Sequence, residues 1–345
     1  MPEAESGRGW TDDPYTEAMR DALVQKVAEQ QRRVAAAAGT GLGGRLDRGQ
    51  HQKMLLGAVG RLRVFDQVPA AVRLGPLAAP FALPVACRFS NGQPCPFSDK
   101  TPDVRGVALK FFSPQGAETD ILATNEGGRS HAKDAESFMA FADILVAKIE
   151  RGGTGAFEEL LQELREGKLT AGEFAHMGAV ILKETGLHTV SSLSLENYWG
   201  SVVQLGGAAF KHSLLAHRDT PASIQSDAAG ADSLRHELLA RLARGPVKWQ
   251  LCVQLYVDEG STPVNDASKA WQSATVAIGE LEISAAPSED DERTINQMAF
   301  NPGNGFDPIG ITHARVDVYA ASARNRAGRG LLSSAQAREF LVSRR

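Results

Sequence analysis

Between residues 55 and 124 the chain repeats one pattern four times: a short run of apolar, β-branched and aromatic residues bounded by Pro and Gly, with no helical periodicity before the next run. The runs occupy 55–64, 84–91, 104–112 and 119–124. Successive strands without intervening helices favour an antiparallel sheet closed into a barrel over a doubly wound parallel sheet. The remaining elements must pack on that sheet. At Asp134 the period changes, and Phe138, Phe141, Ile144 and Leu145, then Phe157, Leu160, Leu161 and Leu164, recur at helical spacing. This predicts a helical excursion over about 134–186. Strand patterning returns at 201–217, 247–258 and 274–285. In the second of these, Lys248, Gln250 and Gln254 alternate with Val247, Trp249, Leu251, Val253 and Leu255, as in a strand with one solvated face.

The flanks are helical. Residues 14–36 place Met19, Leu23, Val27 and Val34 on one face, and the glycines between 39 and 44 stop the helix and form a hinge. A short helix is expected over 231–243, irregular chain over 298–310, a helix over 315–326 and a last amphipathic piece over 333–340 with Ser333 as N-cap. The net charge of -4 argues against a general nucleic-acid binder. No apolar stretch is long enough to span a membrane, and residues 1–30 are charged throughout, without a signal-peptide core. Cytoplasmic residence is the expectation. Cys87, Cys95 and Cys252 form neither a CxxC pair nor an even set, so they read as reduced thiols.

One stretch carries chemistry. On a helix over 315–326, Arg315 lies one turn before Tyr319 on the same face. A guanidinium beside a phenol favours the phenolate. A phenolate is a hard anionic ligand for ferric iron, and tyrosine is one of the few proximal heme ligands. The pattern also fits a half-buried tyrosine flanked by snorkelling arginines, so the first reading requires the rest of the chain to supply a heme pocket.

The further tokens are collinear: R-x-x-H at 48–51, G-A-V-G at 57–60, C-R-F-S at 87–90, V-R-G-V-A-L-K-F at 104–111, Y-W-G at 198–200, A-F-N-P-G-N at 299–304 and R-x-x-x-Y at 315–319. In this order, over about 280 residues from Arg48 to Arg326, the chain resembles the catalase family. The resemblance implies an α+β fold: an eight-stranded antiparallel β-barrel with heme b (iron) held between the barrel, an N-terminal arm and helices packed on it. It divides the chain into an arm (1–46), a barrel core (47–326, helical insertion about 134–186) and a short C-terminal helix or tail (327–345). It implies Tyr319 as the proximal iron ligand and Arg315 as the residue keeping it ionised. His51 becomes the distal histidine, Arg48, Arg88 and Arg326 the propionate partners, and Phe138 the aromatic on the distal heme face. The chain has one residue more between Asp120 and Asp134 than the family pattern, so the distal amide is assigned to Asn125, with Thr124 as the alternative.

Two departures bear on function. The chain ends soon after Tyr319, without the C-terminal wrapping segment and helical domain of full catalases. Gln50 precedes His51 where catalases carry valine, and a polar neighbour there is expected to change the hydrogen bonding of His51. Both resemble the small catalase-related peroxidases. The implied function is reduction of organic hydroperoxides and hydrogen peroxide through an oxoferryl intermediate, with oxidation of a small organic electron donor and weak catalase activity at most. The alternatives are a fatty-acid hydroperoxide isomerase of the allene oxide synthase type and a non-catalytic heme sensor on the same scaffold. No nucleic-acid or membrane partner is expected, and the short arm suggests a monomer or homodimer. The remaining histidines, His131 among them, show no ligand spacing and read as core or surface residues.

Overall fold

A computed structural model describes residues 9–37, 46–94, 96–150, 156–182, 190–224 and 230–344. The hinge glycines 39–44 and Cys95 lie outside them. Eight strands, each antiparallel to its neighbours, make the barrel: β1 Met54–Val64, β2 Phe81–Asn91, β3 Arg105–Phe112, β4 Glu118–Thr124, β5 Tyr198–Leu205, β6 Ala208–Ala216, β7 Val247–Leu255 and β8 Thr275–Ile283. Each pairs with the next in sequence, and the pairing of β8 with β1 closes the ring. Closure leaves no free edge. A two-residue ninth strand, Asp307–Pro308, is appended to β5.

Alternation explains why these sequences form this barrel. Leu62 and Val64, Val85 and Phe89, Leu109 and Phe111, Leu251 and Val253, and Trp249 point inward and are almost fully buried in one core. Period-2 side-chain direction then sends the intervening residues to the outer face. Truncating a residue such as Trp249 would cost about 3–5 kcal/mol.

Two expectations are corrected. The stretch 201–217 is the hairpin β5–β6, turned at Gly206 and Gly207, whose φ values of +54° and +86° suit a two-residue loop that other residues enter at a cost. The 155–186 pattern is two helices, α3 Ala156–Arg165 and α4 Ala171–Leu182, interrupted near Gly167 with φ +73°. They follow α2 Ala135–Glu150, and together the three make the excursion between β4 and β5.

Four further helices lie beyond β6: α5 Ser233–Leu242, α6 Glu289–Asn296, α7 Thr312–Asn325 and α8 Ser334–Val342. Ser333 with Gln336, and Ser288 with Asp291, form reciprocal capping boxes that start α8 and α6. The N-terminal helix α1 Glu17–Ala37 packs along α7 and α2. These helices lie outside the barrel, which places any site between barrel wall and helix layer. Among the described residues no helix is long and apolar enough to cross a membrane.

Candidate active site

The outer face of β2–β3–β4 carries the floor of the site. Registry aligns Arg88 with Ala108 and Leu122, and Ser90 with Gly106 and Thr124. These rows form the floor of a cavity of about 170 Å³ whose other walls come from α1, α2, α7 and the loops around His51 and Pro302. The lining is mainly apolar, with Leu23, Val27, Phe138, Phe141, Phe300 and Val318 among the contributors. A slot between a flat sheet face and helices suits a flat apolar ligand.

His51 enters this slot under constraint. It is the one non-glycine among the described residues with positive φ, +54°, a conformation that surrounding contacts must hold. Its amide donates to Gly92 O at 3.0 Å, and Arg88 donates from Nη2 to the carbonyls of His51 and Gln52 at 3.0 and 3.1 Å. The ring Nδ1 lies 3.1 Å from Ser90 Oγ. Ser90, and not Gln50, is therefore the hydrogen-bond partner of this ring, although Gln50 lines the cavity beside it. A Cβ on Gly106 would sit 2.7 Å from His51 Cε1, so only glycine gives the ring its place. Burial, and then the charge of Arg88, pull the imidazole down to about 4. His51 is thus neutral at ordinary pH and able to accept a proton.

On α7, Arg315 and Tyr319 reach the same cavity one turn apart. Arg315 donates to Ser201 Oγ and, at 2.9 Å, to Ser130 Oγ. Burial pushes the Tyr319 phenol above its ordinary value, while Arg315, Arg88 and Arg48 pull it down without overcoming burial. The effect of Arg315 has the expected sign but does not by itself ionise the phenol. A bound cation would supply the rest.

At one end of the slot Arg48, Arg88 and Arg326 come together. Arg48 donates to Asn296 Oδ1 and to the carbonyls of Asn296 and Met298. Arg326 is 5% exposed and its Nε is buried without a partner. Desolvation and mutual repulsion lower Arg48, and bring Arg88 to about 10. The carboxylate acting on all three is Asp47, which also pairs with Arg329 at 3.2 Å. Three crowded guanidinium groups, one with an orphaned nitrogen, fit a ligand that brings carboxylates. A phenol, a neutral imidazole, an apolar slot and a cationic end together match the donor set of heme b.

Asn125 requires correction. It does not line the cavity: its Oδ1 accepts from the Arg105 amide at 2.7 Å and its Nδ2 donates to Glu196 at 2.8 Å. The reason is alternation. Ile121 and Ala123 point into the barrel while Leu122 and Thr124 face outward, so 125 turns away and Glu126 turns to the cavity. Thr124 faces the slot, but its hydroxyl donates to Glu126 Oε2 at 2.8 Å. Phe138 and Phe141 both line the cavity.

Glu126, His131, Ser90 and Asn296 are the functional candidates that sequence reading missed. Counting the strand alternation forward from Leu122 would have exposed Glu126. No local signal marks His131, which reaches the cavity through a loop. Cys87 points into the barrel, and burial pushes its thiol up to about 12, which leaves it unreactive.

No protein-family model matches the chain. A catalase-related peroxidase of Mycolicibacterium paratuberculosis is 30% identical over 269 residues, covering 71% of this chain and 79% of that protein. Among solved structures, a fungal catalase matches with a TM-score of 0.67 at 19% identity, covering 85% of this chain and 61% of the catalase. A bacterial catalase gives 0.66 at 21%, covering 87% and 61%. Catalase A from Saccharomyces cerevisiae gives 0.62 at 16%, covering 85% and 64%. The chain spans less than two thirds of these catalases, and the likeness to them is one of fold.

Proposed function

This chain belongs to the catalase-related peroxidases, and we propose that it is a heme-dependent peroxidase reducing organic hydroperoxides, and hydrogen peroxide, at the expense of a small organic electron donor. The observation that carries this reading is the convergence on one slot of a neutral, strained His51, the Arg315–Tyr319 pair and three arginines. Tyr319 would hold the iron, and Arg48, Arg88 and Arg326 the propionates. When bound, heme b supplies the two-electron cleavage of the O–O bond and recovers those electrons from the donor.

The protein's own contribution is proton handling and exclusion of water. His51 Nε2 is the free ring nitrogen when Nδ1–H donates to Ser90, so it takes the hydroperoxide proton. Burial, helped by the charge of Arg88, keeps that imidazole neutral, and Arg88 fixes the backbone that aims it. The apolar walls keep bulk water from competing for the same proton. Because the slot is mainly apolar, alkyl or aryl hydroperoxides fit it better than a small polar peroxide alone would require.

The test is an absorption spectrum of purified protein loaded with heme, before and after an organic hydroperoxide, with products analysed. A Soret band lost in Tyr319→Phe, with alcohol formed in proportion to oxidised donor, supports the reading. Hydroperoxide consumed and rearranged without any donor would make the protein an isomerase. Rapid oxygen release from hydrogen peroxide without donor oxidation would overturn the peroxidase assignment.

A further inference from the structure

Beside His51 the same cavity holds a second histidine that the reaction as derived above leaves unused. His131 Nδ1 lies 3.4 Å from Glu126 Oε1, and both side chains are nearly nine-tenths buried, at 11% and 12% exposure. The ring is fixed face-on to Phe141, with centroids 3.7 Å apart and planes 28° apart, and it stacks more loosely on Phe138. Glu126 is fixed too, accepting the Thr124 hydroxyl on its other oxygen. This orientation leaves His131 Nε2 buried with no hydrogen-bond partner, in a residue that lines the cavity.

We propose that the Glu126–His131 pair is a second proton-handling device for hydroperoxide cleavage, in which His131 is a catalytic residue that donates from Nε2 to the departing oxygen and Glu126 is its positioning residue. This rests on the heme peroxidase reading and deepens it. His51 takes the proton of ROOH, the O–O bond breaks, and the RO fragment leaves as ROH with the His131 proton. The other oxygen leaves as water with the proton held by His51 and one proton from a two-electron, two-proton organic donor DH2, whose second proton returns to His131, so that ROOH and DH2 give ROH, D and H2O. Two separated imidazoles suit a bulky RO group, because acceptance and delivery of protons need not pass through one small ring.

The charges around the pair are consistent with this division. Burial alone would raise the Glu126 carboxyl, yet the hydrogen bond and charge of His131, the Thr124 hydroxyl and Arg315 leave it below its ordinary value. The titratable and charged groups facing the pair are Arg315 from α7 and the neutral His51, with Arg88 and Arg48 behind it. The α1 helix adds Lys26 to the cavity wall, and α2 presents the aromatic faces of Phe138 and Phe141 to the His131 ring. The charge of His131 is one of the smaller influences that lower the His51 imidazole, after burial and Arg88.

Fluoride binding to the ferric holoprotein tests this without turnover, because bound fluoride is stabilised by a proton donor in the cavity. Wild type and the variants His131→Phe, which can keep the stack on Phe141, and Glu126→Gln are titrated with fluoride from pH 5 to 8. The expected result is about tenfold weaker fluoride in His131→Phe, the worth of one charge-assisted hydrogen bond. In Glu126→Gln the pH above which affinity falls should move down. With cumene hydroperoxide, His131→Phe should lose kcat with little change in KM. Fluoride affinity and its pH dependence unchanged in both variants, with normal Soret bands, would overturn the proposal while leaving the heme reading intact. A wild type that takes up no heme would instead sink the heme reading.

Discussion

Gly106→Ala is the sharpest probe of the site, because it adds one methyl group at a position where the consequence follows from distance. The new Cβ would lie 2.7 Å from His51 Cε1, 2.8 Å from Nδ1 and 3.3 Å from Ser90 Oγ. An ordinary contact between carbons is about 3.5 Å, so the His51 ring must retreat by about 0.8 Å. Its backbone cannot follow freely, since Arg88 and Gly92 hold it in the left-handed conformation. The ring therefore tilts into the cavity and weakens its bond to Ser90. A misplacement of about 1 Å in a catalytic group costs on the order of 100-fold. The methyl is accommodated by the cavity and not by the core, so thermal stability should change little. Stopped-flow oxidation of a dye with cumene hydroperoxide should show kcat/KM lowered about 100-fold at unchanged heme content. Activity within threefold of wild type, with full heme, would refute the role of His51 as the proton acceptor at this position.

Other perturbations separate the roles of neighbouring residues. Asn125→Ala removes the acceptor of the buried Arg105 amide and should cost about 1–3 kcal/mol in denaturant unfolding, with kcat/KM essentially unchanged. Arg326→Gln removes one of three crowded like charges. The heme-free protein should be at least as stable in thermal melts, while heme transfer to apomyoglobin should reveal at least about tenfold weaker retention. On the acid side kcat/KM should fall with a midpoint near 4, where the free protein's His51 gains its proton. Stability should follow a related course. His51 and His212 are both depressed to about 4 from an ordinary 6.5, so their contribution is complete above pH 6.5 and lost as pH falls toward 4. Asp120, raised to about 6, works in the opposite sense, losing its contribution as pH rises through 6. Two histidines against one aspartate leave a net loss of about 1.4 kcal/mol per pH unit between 6 and 4. Urea titrations at fixed pH would measure it.

The antiparallel sheet and the Arg315–Tyr319 pair were legible in the order of residues alone. Strand runs without helices between them imposed an antiparallel sheet, because such segments have short-range partners only in each other. Arg315 and Tyr319 were legible because a four-residue spacing on a helix fixes a shared face whatever the surroundings. Arg48, Arg88, His51 and Arg326 were placed by resemblance, and the fold brings all four to one cavity. The Gly206–Gly207 hairpin was readable as a two-residue turn signal and was overlooked within a longer strand pattern. The Ser288–Asp291 capping box that starts α6 is a local signal of the same kind, and no element was assigned there from the sequence.

Which polar side chains meet inside the slot depends on long-range packing. The parity at the end of β4 turns Asn125 away from the cavity, to the Arg105 amide, and brings the Glu126 carboxylate to it. His131 lies in a loop whose path is set by α2 packing, and loops carry no period from which a direction can be read. The balance at Tyr319 likewise needed three dimensions. Spacing gave the sign of the Arg315 effect, but the opposing cost of burial is a property of the surrounding atoms and not of the chain order.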